Sequence, residues 1–185
     1  MKQTQEILDL LSEYSKAFSL LEKYDAGTLT EPKGVPAKFV LKYKDCVEII
    51  KNVRAGLIGK KRTGLPTKDL PQGDSLFGLQ RSGMFEGVIK NIYQTFDGKE
   101  LYNTVEQKAA HLLYLTIKDH PFSDGNKRIG AFLFVYFLSK NNYLYNDNKE
   151  NKIDNNTLVA LALLIAESNP KEKVAMVKII ENILN

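Results

Sequence analysis

Apolar residues recur at helical spacing along most of the chain. Between residues 3 and 24, Ile7, Leu10, Leu11, Tyr14, Phe18 and Leu21 share one face. Gly27 follows as a natural C′ residue, and Pro32, Gly34 and Pro36 mark a loop. A second helix is predicted from about Ala37 to Ala55, with Phe39, Val40, Tyr43, Cys46, Val47, Ile50 and Val53 inward. Residues 56–78 are rich in Gly and Pro and read as a long loop with Lys60, Lys61 and Arg62 at its tip. A short helix is predicted over about Leu79 to Lys90.

The chain carries one good β signal. Tyr93, Thr95 and Phe96 are separated from Leu101 and Tyr102 by a turn at Asp97-Gly98, which predicts a two-residue hairpin. Two strands make no stable sheet alone, so the hairpin must lean on helices. Thr104 and Gln107 then form a capping box, opening a helix to about Asp119 that buries Val105, Ala109, Leu112, Leu113, Thr116 and Ile117. On it His111 falls at helical spacing with Gln107, Lys108, Tyr114 and Lys118, the polar face, and reads as a surface histidine. The next helix, from near Asn126 to about Lys140, is apolar nearly all round and is expected in the middle of a bundle. Residues 141–156 are polar, with Asn156 expected to cap a helix over about 157–167. Asn169 with Pro170 and Glu172 opens the last helix, whose inward positions are Val174, Val177, Ile180, Ile183 and Leu184. The expected fold is all-α: six or seven helices and one short β-hairpin, in a single domain over residues 1–185.

Composition narrows the class. The 185 residues include 43% hydrophobic and 26% charged side chains, which is globular composition. One cysteine, Cys46, excludes a disulfide framework and a Cys-rich zinc site; it reads as a core residue. The net charge is only +4. The N-terminus does not read as a signal peptide, and no apolar run approaches the ~20 residues of a membrane span. A soluble, cytoplasmic protein is expected.

The candidate chemistry lies in the loop between two strongly apolar helices, HPFSDGNKR, residues 120–128. His120 is suited to take a proton from a hydroxyl near pH 7. Asp124 is a hard-oxygen group able to hold Mg²⁺. Gly125, Asn126 and Lys127 begin a helix whose N–H groups form an anion site, and Lys127 and Arg128 add two cations. Together these describe a phosphate site beside an attacking hydroxyl. The same Ser-Asp-Gly-Asn run is also ordinary turn and N-cap chemistry.

The run resembles the signature of the Fic/Doc (Fido) family, His-x-Phe-x-Asp/Glu-Gly/Ala-Asn-Gly/Lys-Arg, at every fixed position. The resemblance is best over about residues 75–140 and extends to the order of hairpin, helix, loop and helix. It implies a transferase that moves a phosphate-containing group from ATP, with Mg²⁺, to a hydroxyl of a target protein. His120 would be the base, Asp124 the metal ligand, and Gly125, Asn126, Lys127 and Arg128 the nucleotide cradle. The hairpin, with Tyr93, Thr95 and Phe96, would be the flap on which the target lies as an added strand.

Members that transfer AMP usually have Gly where this chain has Lys127, and a second Arg where it has Ala131. The Lys resembles Doc-type (death-on-curing) toxins, which transfer phosphate. That is the first reading; AMP transfer on the same scaffold is the alternative. A helical nucleic-acid-binding module using Lys60, Lys61 and Arg62 is a third reading, weakly supported by a charge of +4, and nucleic acid is not the expected partner. The inhibitory Ser/Thr-x-x-x-Glu-Gly/Asn helix of many members is incomplete here, with Val177 in the Ser/Thr position before Glu181-Asn182. Glu181 therefore reads as an exposed helix residue, and the resemblance points to control by a separate antitoxin.

Overall fold

The computed structural model describes residue 12, residues 14–58 and residues 76–185. Among these are seven α-helices: α1 (Ser15–Asp25), α2 (Tyr43–Ile58), α3 (Met84–Ile92), α4 (Val105–Lys118), α5 (Asn126–Lys140), α6 (Asn155–Glu167) and α7 (Lys173–Leu184). A two-stranded antiparallel hairpin, β1 (Thr95–Phe96) and β2 (Lys99–Glu100), sits between α3 and α4. The expected all-α class with one hairpin is therefore observed. Ile7, Leu10, Leu11 and the basic tip Lys60, Lys61 and Arg62 lie outside the described residues. No described helix is long and apolar enough to cross a membrane.

The centre of the bundle is α4 and not α5. α4 packs against α3, α5, α6 and α7 and is buried on all sides, whereas Phe132 leaves α5 44% exposed at that position. The α4 sequence conceals this, because Glu106, Lys108, His111 and Thr116 are all buried. Each polar head that finds a partner inside offsets its desolvation. Glu106 accepts from the Val35 amide at 3.0 Å and from the Tyr143 phenol. Lys108 pairs with Glu100 at 2.8 Å and donates to the Tyr102 carbonyl. Gly130 lets α5 cross α4 closely: a Cβ there would lie 3.2–3.3 Å from Ile117 and Thr116.

Local signals set the element ends. Thr104 Oγ1 accepts from the Gln107 amide at 3.2 Å and the Gln107 side chain accepts from the Thr104 amide, completing the capping box. Asp97 (φ 50°) and Gly98 (φ 74°) both take left-handed backbone, as a type I′ hairpin turn requires. The hairpin leans on α4 through Lys108 and through Tyr102, whose ring stacks on His111 at 3.7 Å. Asn169 caps a 3₁₀ turn (Pro170–Glu172) that leads into α7. Cys46 is fully buried, and burial pushes its thiol up to about 12, so it packs as a core residue.

Other expectations are corrected. α2 starts at Tyr43 because residues 38–41 spend their amides elsewhere: Lys38 and Phe39 donate to Asn141 Oδ1, and Leu41 donates to the Tyr93 hydroxyl. Val40 is consequently exposed. α3 starts at Met84, after Gly83 at φ 70°. Asp154, not Asn156, caps α6, accepting from the Thr157 amide at 2.9 Å. Tyr14, Phe18 and Leu21 are each more than half exposed, since periodicity defines a face but supplies no partner for it. On α7, Val174 is exposed and Glu181 is 2% exposed, so the inward face is rotated toward Met176, Val177, Ile180, Glu181 and Leu184.

Candidate functional site

The loop joining α4 to α5 is held from three sides. Phe122 is fully buried against Phe85, with ring centroids 4.8 Å apart. Asn126 braces the loop from within: its Oδ1 accepts from the Phe122 amide at 2.9 Å and its Nδ2 donates to the Phe122 carbonyl at 2.8 Å. Residues 76–81 then pair along the outside. Gly78 donates to the Asp124 carbonyl, Ser123 to the Leu79 carbonyl and Arg81 to the Pro121 carbonyl, at 3.1, 2.9 and 2.8 Å. No periodicity in the sequence announces this clamp, because it is two short bridges between segments some forty residues apart.

His120 lies at the end of the clamped stretch, exposed, with φ 48°. A histidine held in left-handed backbone costs on the order of 1 kcal/mol and persists only because its surroundings dictate it. Asp119, just before it, has its carboxyl pushed up by burial, against the pull of Lys173 and His120.

Beyond His120 the chain turns at Gly125, φ 88°, the N-cap of α5. A Cβ there would overlap the Phe77 ring. No side chain caps this helix, because Asn126 is turned back into the loop. The first-turn N–H groups of a 15-residue helix are thus left for an acceptor from outside. Lys127 and Arg128 are exposed in that turn. Arg128 pairs with Asp124 at 3.1 Å and stacks on Phe77 at 4.6 Å. Phe77, which covers both Gly125 and Arg128, carries no signal in the sequence pattern.

The expected site residues thus share one loop, with His120 before the turn and Asp124, Gly125, Lys127 and Arg128 at it. Asn126 contributes its amide to the helix start, while its side chain is committed to the loop. On the hairpin, Thr95 and Phe96 are exposed, Phe96 at 75%. Tyr93 is tied below them: its hydroxyl holds the Leu41 amide and burial pushes it up to about 12, so it serves the scaffold.

Among the described residues, no group of three or more His, Cys, Asp or Glu side chains is placed to hold a metal. A single half-exposed carboxylate, Asp124, fits Mg²⁺ only in the manner where substrate phosphates and water complete the shell.

His111 and Glu181, both expected at the surface, are interior and lie away from the loop. His111 is buried under Tyr102, and burial pushes its imidazole down to about 4, so it is a neutral interior group. Glu181 lies beside Glu106 at the start of α4. His120 follows the other end of that helix, roughly 20 Å away at 1.5 Å per residue. His111 and Glu181 line a cavity of about 330 Å³ between α4, α7 and the hairpin exit, and a second cavity of about 450 Å³ is lined by Lys16, Tyr143 and Lys152. Neither cavity includes the loop, whose exposed residues are His120, Ser123, Lys127 and Arg128.

The family model described as the Fic/DOC family matches residues 42–138, just over half of the chain, from the residue before α2 to the late part of α5. No match was found among curated proteins or among solved structures.

Proposed function

The chain belongs to the Fic/DOC family, and from that premise we propose that it is a transferase moving phosphate from ATP to a hydroxyl of a target protein. One observation carries the reading: an exposed His120 in strained backbone beside the uncapped N-terminus of α5. In this reading His120 takes the proton of the target hydroxyl as its oxygen attacks the terminal phosphorus. The bond from that phosphorus to the bridging oxygen breaks, and ADP leaves with the electron pair. His120 then returns its proton to solvent.

The other residues bind and orient. The α5 first turn and Lys127 hold phosphate oxygens, and Arg128 does so after releasing Asp124. Asp124 would hold Mg²⁺, which supplies charge neutralisation of the polyphosphate when bound. The exposed edge at Thr95 and Phe96 would take the target segment as an added strand.

Lys127 favours phosphate over AMP as the group moved. Its stem and charge stand where AMP-transferring members leave room with Gly, and Ala131 offers no second guanidinium.

The test is incubation of a cell lysate with the protein, Mg²⁺ and ATP labelled at either the α or the γ phosphate. Label reaching protein from the γ position supports the reading. Label from the α position replaces it with AMP transfer, and label from neither removes the transferase reading.

A further inference from the structure

We propose that Arg81, which lies outside the loop, is a further binding residue for the phosphate group that faces His120. The inference rests on the phosphate-transfer reading above.

Its position follows from the clamp. Gln80 and Phe122 face each other in an antiparallel bridge, and both point to the core: Phe122 is fully buried and Gln80 accepts from the Tyr43 hydroxyl at 2.7 Å. Side chains alternate along such a pairing. Leu79 and Arg81 therefore fall on the outer side, and both are exposed. The Arg81 amide is bonded to the Pro121 carbonyl at 2.8 Å, so its backbone is pinned opposite the residue next to His120.

The charge around the loop gives this position its use. Arg128 is engaged by Asp124 and by the Phe77 ring. Lys118 is spent on the carbonyls of Ile165, Ala166 and Ser168, and Lys90 on Glu86. The Arg81 guanidinium makes no hydrogen bond or ion pair among the described residues. The pairing sets Arg81 at the Pro121 end of the loop, next to His120, while Lys127 follows its other end in the first turn of α5. A polyphosphate reaching from the helix start to His120 would thus have a cation near each end of the loop. Arginine's planar fork suits the oxygens of the transferred group better than a point charge.

The experiment measures Mg²⁺·ATP binding by calorimetry and γ-phosphate transfer for wild type, Arg81→Ala, Arg81→Lys and the control Lys90→Ala. Melting temperature is read alongside. Arg81→Ala is expected to weaken ATP binding about tenfold and lower transfer further, at unchanged melting temperature. Arg81→Lys should regain part of the binding, and Lys90→Ala should match wild type. Wild-type binding in both Arg81 variants, with transfer intact, overturns the assignment and leaves the transferase reading standing. Equal loss in Ala and Lys variants with a lowered melting temperature overturns it in favour of a structural role. A wild type that neither binds ATP nor transfers phosphate removes both.

Discussion

The Arg128 guanidinium lies 3.1 Å from the Asp124 carboxylate, one helical turn apart across the start of α5. Both side chains are about half exposed, so the pair contributes at most about 1 kcal/mol to stability. In the proposed mechanism the pair would be in competition: a cation taking Asp124 would free Arg128 for phosphate. Asp124→Ala is expected to change stability by less than ~1 kcal/mol while flattening the Mg²⁺ dependence of transfer. A Mg²⁺ titration that superimposes on wild type would remove Asp124 from the site.

His120 should show a function–stability conflict. His120→Ala is expected to lose transfer by ~10²-fold or more. His120→Gly should lose it equally while being at least as stable as wild type, because glycine relieves the positive φ. Denaturant unfolding compares the two; a glycine variant destabilised by more than ~1 kcal/mol would show that the histidine ring holds the loop.

Gly125→Ala combines positive φ with overlap against Phe77 and should cost roughly 2–4 kcal/mol. Phe77→Ala removes the ring that an added methyl would meet. In a double-mutant cycle the two losses should sum to more than the double variant shows, and strict additivity would mean that the ring is not the obstacle.

The α4–α7 contact makes stability depend on pH in two opposing ways. Burial first, then Glu31 and Glu106, push Glu181 up to about 7, while Lys178 opposes them. The folded state therefore binds more protons than the unfolded chain between about 4.5 and 7, and this contribution falls as pH rises through 7. His111, pushed down to about 4 by burial and by Lys173, acts the other way: its contribution is lost as pH falls from 6.5 toward 4. The two slopes offset below 6.5, leaving a decline on the order of 1 kcal/mol above it from Glu181 alone. Glu181→Gln should abolish that decline and expose a rise with pH from 4 to 6.5. An unchanged pH profile of urea midpoints would show that Glu181 titrates alike in the folded and unfolded chain.

Phe96 is 75% exposed on β1, so Phe96→Ala should leave melting and ATP binding unchanged. It is expected to reduce labelling of the target protein several-fold, as read on a gel. Equal labelling would mean that the hairpin edge does not dock the target.

Features encoded by neighbours a few positions apart are legible in the residue types themselves. The Thr104–Gln107 capping box, the Asp97-Gly98 turn, the start of α5 at Asn126 and the grouping of His120, Asp124 and Lys127 in one loop are all of this local kind. Local chemistry decides such features, so the amino-acid sequence alone specifies them. The fate of polar residues is settled only by distant segments. Glu106 and Lys108 are interior because Val35, Tyr143, Glu100 and Tyr102 arrive to satisfy them, and His111 is interior because Tyr102 lies on it. A helical pattern ranks positions by polarity and says nothing of whether a partner will come to a polar one. For the same reason the sequence does not reveal Phe77 over Gly125, Arg81 opposite Pro121, or Glu181 at the far end of α4 from His120. Those are placements made by packing, where burial of the apolar faces selects the arrangement and carries the polar groups along with it.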